Sequence, residues 1–226
     1  MAQKRKPQEE SAIVDSYNKI DHFLEENKNL VTGIGVVFIL IVAAGLYFNR
    51  FYMPEQEQLA QEAIFQAQLH FEVDSFNLAL NGDRNGNLGF IDVSNDYGMT
   101  SAGNLASYYA GVCYLHLGDY DAAIDYLSDF SSDDQVISTM ALSALGDAHM
   151  EQGNTDKGIS YYKKAAKNNP NEFTTPIMLL KAGQALESVQ KYAEAKEFYE
   201  TLKSEYPLTQ EGAEADKYIA RVELKM

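Results

Sequence analysis

The sequence has no tryptophan, one cysteine, four histidines and five prolines among its 226 residues. A single cysteine, Cys113, excludes an intramolecular disulfide framework. It also lies far from the N-terminus, so it is no lipid-attachment cysteine behind a signal peptide, and on a helix it reads as a small buried hydrophobe. With so few prolines, most of the chain is free to be helical. His22, His70, His116 and His149 are scattered, and none stands at metal-ligand spacing from another His, Cys or acid. No Gly-x-Ser-x-Gly, His-Glu-x-x-His or phosphate-loop pattern occurs, and Gly33-x-Gly35 has no third glycine to make a nucleotide fingerprint. These absences leave no constellation for chemistry, so the expectation is a non-enzyme without metal or cofactor. Positive charge is also scarce. Lys and Arg number 18 against 33 Asp and Glu, and a net charge of −15 argues against a nucleic-acid partner.

Residues 30–48 read LVTGIGVVFILIVAAGLYF, without a charge. As a helix this run spans about 28 Å, close to the thickness of a bilayer core, which predicts a transmembrane helix. Tyr47, Phe48, Phe51 and Tyr52 follow as an interfacial belt. A cleaved signal peptide is the rival reading, but the long acid-containing stretch before the run argues against it. Lys4, Arg5, Lys6, Lys19 and Lys28 precede the span, whereas Arg50 is the last basic residue after it until Arg84. The positive-inside rule then places the N-terminus in the cytoplasm and the rest across the membrane, in the periplasm of a diderm bacterium. Residues 49–226 carry 13 basic and 27 acidic groups, an excess that suits solubility and disfavours anionic headgroups.

Ahead of the span, Ile13, Tyr17, Ile20 and Leu24 fall on one stripe of a helix, with Asp15, Lys19, Asp21, Glu25 and Glu26 on the other faces. Such a stripe needs a partner: the cytosolic face of a membrane protein, a second copy, or the lipid interface. The alternative is a marginal helix that merely leads into the span.

The second half of the chain repeats itself. Gly111…Tyr114…Gly118-Asp119-Tyr120…Ala123…Leu127 is followed by Gly146…Gly153…Gly158…Tyr162…Pro170 and Gly183…Tyr192…Ala195…Tyr199…Pro207. A period of 35–37 residues with small residues at fixed offsets marks a stacked helical solenoid. The copies, at about 104–137, 139–172 and 176–209, resemble tetratricopeptide repeats, each a pair of antiparallel helices. The resemblance implies that Gly111, Gly146 and Gly183 sit where the two helices cross, opposite Ala123, Gly158 and Ala195. Leu127, Tyr162 and Tyr199 would pack toward the next repeat. Gly118-Asp119 and Gly153-Asn154 read as turns, whereas Gln190-Lys191 is less well suited. The first copy lacks the proline that ends the others at Pro170 and Pro207.

Upstream, Leu59, Ala63, Ala67 and Phe71 form a helical face, and Phe76, Leu78, Ala79 and Leu80 start a second helix that resumes at Phe90 after a polar break. Within that break Asp83-x-Asn85-x-Asn87 imitates the start of a calcium loop. Leu88 and Ser94 occupy the positions that need Gly and a bidentate acid, so it reads as a solvated loop. Glu211–Leu224, using Ala215, Tyr218, Ile219 and Val222, reads as a capping helix. The expected order is a stub at 1–29, a transmembrane helix at 30–48, a degenerate hairpin at 49–103, three repeats at 104–209 and a cap at 210–226. The fold class is all-α.

In tetratricopeptide solenoids the first helix of each pair lines a concave groove. The resemblance places Leu105, Tyr108, Val112, Leu115, Met140, Ser143, Asp147, Met150, Ile177, Leu180, Gln184 and Glu187 there. That mixture suits a bound peptide segment, although some of these residues can instead contact the N-terminal helices. Stub, span and solenoid in this order resemble the ancillary subunit family of the bacterial Sec translocon. Those are inner-membrane proteins with a periplasmic tetratricopeptide-like domain, associated with the SecYEG channel and periplasmic chaperones. Glu205-Tyr206-Pro207-Leu208-Thr209 and Asp96-Tyr97-Gly98-Met99-Thr100 resemble repeats of the outer-membrane assembly lipoprotein family. The expected partners are therefore proteins: translocon subunits, chaperones or nascent chains. The alternatives are a self-associating scaffold and an outer-membrane assembly component.

Overall fold

Four helices in this chain start where a short side chain accepts backbone N–H groups, and two of the repeat helices stop where a glycine turns left-handed. The computed structural model describes Lys19 and residues 21–226, and regular structure among them is entirely helical. The chain divides into two units, Met1–Glu55 and Gln56–Met226.

In the first unit, α1 (Lys28–Tyr47) has no buried residue. It is long and apolar enough to cross a membrane, where lipid would be the solvent of its side chains. Thr32 returns its hydroxyl to the Lys28 carbonyl at 2.7 Å, so this polar group is satisfied within the helix. A π-helical turn follows at Phe48–Tyr52, with Tyr47 stacked on Phe51 and Phe48 on Tyr52. Of the stripe expected ahead of the span, Ile13, Tyr17 and Ile20 lie outside the described residues, and Leu24 is exposed.

The remaining helices are α2 (Met53–Glu72), α3 (Phe76–Asn81), α4 (Phe90–Tyr97), α5 (Ser101–Leu117), α6 (Tyr120–Asp129), α7 (Gln135–Glu151), α8 (Thr155–Lys167), α9 (Thr175–Ser188), α10 (Tyr192–Glu205), α11 (Gln210–Ala213) and α12 (Ala215–Glu223). Pairs α5/α6, α7/α8 and α9/α10 are hairpins, each packed on its neighbour in sequence. Thr100, Asp119 and Asp134 cap α5, α6 and α7 with side-chain oxygens. Gly118 and Gly153 turn left-handed, with φ of 80° and 76°, to end α5 and α7. At the third hairpin Gln190 takes that conformation at φ 61°, which a side chain makes unfavourable.

The two helices of each hairpin close on a missing side chain. A Cβ placed on Gly111 would lie 2.5 Å from Leu127, and one on Gly146 would lie 2.5 Å from a Tyr162 ring carbon. Gly183 faces the Tyr199 ring in the same way. Leu127, Tyr162 and Tyr199 thus seat on the glycine of their own hairpin as well as reaching the next. Leu127 shares a core cluster with Ala144 and Leu145, and Tyr162 shares one with Ala182 and Leu186.

The upstream hairpin corrects the expected face of α2. Leu59 is exposed, and Ala60 and Ile64 are buried with the expected Ala67, while Ala63 and Phe71 pack against the same core. The Glu57 carboxylate accepts from the backbone N–H groups of Ser101 (2.6 Å) and Ala102 (3.2 Å), at the N-terminus of α5. Along the half of α2 near that attachment the inward positions are Ala60 and Ile64, whereas Ala67 and Phe71 keep the expected face. In the following loop Asp83 accepts hydrogen bonds from the backbone and side-chain N–H groups of both Asn85 and Asn87. The Asn87 side-chain bond, against some burial, and the other three bonds hold its carboxyl at a pKa of about 2. The carboxylate is spent on shaping the loop.

The helix expected at Glu211–Leu224 breaks at Glu214. Thr209 ties α11 back to Tyr206, while α12 packs on α10, and the two attachments differ in direction. Tyr206–Gly212 repeats the turn of Tyr97–Gly103. In both, the threonine hydroxyl donates to the tyrosine carbonyl and accepts from the glycine N–H.

Two substitutions test these backbone requirements by thermal unfolding of the full chain. Helix propensity alone favours Gly183→Ala by about 1 kcal/mol. The contact with Tyr199 should reverse that sign, for a net loss of about 1–3 kcal/mol. Gln190→Gly should stabilise by roughly 0.5–1 kcal/mol by relieving the left-handed side chain.

Candidate functional site

Between α5 and α7 the surface opens into a cleft of about 770 Å³. Its far wall is the segment that leaves α6. Phe130 is extended there, and the Asn104 side-chain amide fixes the next residue twice, donating to the Ser131 carbonyl at 2.7 Å and accepting from its N–H at 3.2 Å. Asp134 then starts α7 by accepting from the N–H groups of Val136 and Ile137, both at 2.9 Å. The segment is therefore held at both ends.

The cleft walls are mostly apolar. Leu105 and Tyr108 come from α5, Val136, Ile137 and Met140 from α7, and Phe71 from α2. The rings form a connected run. Phe71 meets Tyr109 edge-on at 5.1 Å, Tyr109 meets Tyr108 at 5.4 Å, and Tyr108 meets Phe130 at 5.4 Å. Burial pushes the Tyr108 hydroxyl above its ordinary pKa, so it stays a neutral donor. Among the lining residues the charged ones are Asp133 and Asp134.

The twelve expected groove residues divide. Leu105, Tyr108 and Met140 line the cleft. Leu105 also packs on the core shared with α2 and α4, a contact with the N-terminal helices. Val112 and Leu115 pack with Tyr108 on the core between the first two hairpins. Met150 is seated against Gly158 at the hairpin crossing, and Leu180 joins the cores of the last two hairpins. Ile177 and Gln184 are exposed. Three others are corrected from ligand-facing to internally engaged. Ser143 is 2% exposed and accepts from Lys181 Nζ at 3.0 Å. Asp147 accepts from the same Nζ at 2.7 and 2.8 Å and from the Tyr162 hydroxyl at 2.6 Å. Glu187 accepts from the Tyr199 hydroxyl at 2.7 Å and from the Arg221 guanidinium, with Lys225 3.6 Å away.

The two engaged acids form latches between neighbouring elements. In each, the tyrosine that seats on the hairpin glycine also donates to an acid of the preceding helix, and that acid is paired with a cation of a following helix. Burial and the hydrogen bond to Asp147 push the Tyr162 phenol up. Burial alone would raise Glu187, but hydrogen bonds from Arg221 and Tyr199 and the charges of Arg221 and Lys225 hold its carboxyl below the ordinary value of 4.5.

Sequence reading missed Phe71, Tyr109, Phe130, Val136 and Ile137. The signal available was the first copy's missing proline, since Phe130 and the serine-aspartate segment after it build the cleft wall. Little in the cleft resembles catalytic equipment. Cys113 is fully buried, and burial pushes its thiol up to about 12. His149 is buried and stacked on Tyr161, with burial and Lys157 lowering its pKa. No group of three or more His, Cys, Asp or Glu among the described residues could hold a metal ion.

The Glu187 latch makes stability depend on pH. A carboxyl lowered in the folded state contributes above its unfolded pKa and loses that contribution as pH falls. The margin by which the native chain exceeds Glu187→Gln in thermal stability should be full at pH 7 and shrink as pH drops below 4.5. A constant margin down to acid pH would show that the latch carries no net charge effect.

Three regions match family models for the tetratricopeptide repeat: residues 96–133, 140–172 and 178–209. They cover most of α5–α10, the three glycine-seated hairpins. No curated protein matches the chain significantly. The chain carries three tetratricopeptide repeats, an architecture of protein–protein interaction, in an all-helical fold with one N-terminal helix long and apolar enough to cross a membrane.

Proposed function

We propose that this protein is a non-catalytic membrane-anchored adaptor. α1 holds it in the inner membrane of a bacterium with its N-terminus cytoplasmic, and its repeats bind other proteins in the periplasm, at or near the Sec translocon or periplasmic chaperones. The observation that carries this reading is the open, aromatic-walled cleft between the first two repeats in a chain whose α1 is free of charge from Leu30 onward. The basic residues ahead of the span, and their scarcity after it, support the orientation. Support for the translocon comes from the resemblance in layout, length and acidity. Acidity also fits a domain that must stay off anionic headgroups while tethered beside them.

The test is purification of the full chain in a mild detergent. SecYEG subunits or a periplasmic chaperone should co-purify in stoichiometric amount, and a charge at Gly33 that prevents insertion should abolish recovery of the channel. Recovery of neither channel nor chaperone with the intact protein would overturn the translocon assignment.

A further inference from the structure

The cleft between α5 and α7 also carries information about the chemistry of its occupant. Along the other first helices two acids are already paired with cations, while Glu151 at the end of α7 is exposed and accepts only from the Tyr120 hydroxyl at 3.5 Å. Asp147 belongs to Lys181, and Glu187 to Arg221 and Lys225. A ligand at those positions would have to displace partly buried ion pairs that are already made. At the cleft the balance differs. Asp133 is exposed with no cation within ion-pair distance among the described residues, and no Lys or Arg lines the cleft. The Asp134 carboxylate contributes one oxygen to the cap of α7. Next to these two acids stands the run of rings from Phe71 through Tyr109 and Tyr108 to Phe130. Ring faces attract cations and give apolar side chains area to bury.

Resting on the protein-binding reading above, we propose that this cleft, rather than the whole concave face, is the docking site. Its occupant is a polypeptide segment carrying a large apolar side chain flanked by Lys or Arg. The apolar side chain enters between Tyr108 and Met140, and a flanking cation meets Asp133 and the ring faces. The acids at the rim speed encounter and reject acidic segments, while the apolar walls supply most of the affinity. Specificity then comes from charge as much as from shape.

The experiment measures fluorescence anisotropy with the full chain in nanodiscs of zwitterionic lipid. The probes are three fluorescein-labelled peptides of equal length in a Gly/Ser frame, with cores Lys-Leu-Phe-Lys, Glu-Leu-Phe-Glu and Lys-Ser-Ser-Lys. The first should bind at least about tenfold tighter than either other, and the preference should weaken with salt. Asp133→Lys should cost about tenfold and Met140→Ala about fivefold, whereas Gln184→Lys on the third repeat should stay within about twofold. Unchanged helical circular dichroism certifies each variant. Equal binding of the acidic peptide, no binding of any probe, or a Gln184→Lys effect as large as that of Asp133→Lys would each overturn the proposal. If SecYEG co-purifies yet the peptides show no charge preference, only the chemistry proposed here fails. If the basic peptide binds through Asp133 while no channel or chaperone co-purifies, the translocon assignment fails and this proposal stands.

Discussion

The contact on which the solenoid depends is a large side chain pressed onto a glycine. At Gly111, Gly146 and Gly183 the absence of a Cβ lets the second helix of a hairpin approach until Leu127, Tyr162 or Tyr199 covers the backbone of the first. Each such glycine lowers helix propensity by about 1 kcal/mol, and the close approach outweighs that loss by burying a large side chain, worth about 1.5–3 kcal/mol. The spacing of the first helices, and hence the cleft between α5 and α7, follows from it. A methyl group at any of these positions would push α6, α8 or α10 outward and move the wall it helps to set.

The same tyrosines carry a second duty. Tyr162 and Tyr199 are buried along their rings, so their hydroxyls need partners, and each finds an acid on the preceding helix. That acid then needs a cation, which arrives from a following helix. Packing within a hairpin and pairing between elements are therefore coupled through one side chain. The first hairpin has Leu127 at this place and no hydroxyl to satisfy. No such latch forms there among the described residues, and Val112 and Leu115 at the corresponding stretch of α5 pack into the core between the hairpins.

The chain is also written for two solvents. α1 exposes aliphatic and aromatic side chains along its whole length and buries none, a surface suited to hydrocarbon. Residues 49–226 carry a large excess of acids, which is tolerable only in water. Tyr47, Phe48, Phe51 and Tyr52 lie at the change between them, stacked in two pairs.

The sequence by itself determined the elements whose cause is local. A charge-free apolar run makes a helix long and apolar enough to span a bilayer whatever surrounds it. Glycines at a fixed period make hairpins, because the crossing leaves no room for a side chain, and glycine turns left-handed most readily at the first two turns. Three-quarters of the expected groove could not be settled that way, because phase along a helix says which way a residue points and not what meets it. Ser143, Asp147 and Glu187 point as expected, but cations 34 to 38 residues away in sequence reach them first. The inward positions along the first half of α2 likewise accompany Glu57 reaching the start of α5, and the cleft was decided by Phe71 and Phe130 arriving from either side. These are meetings between distant segments, governed by which polar groups must be paired once buried, and only the tertiary structure could decide them.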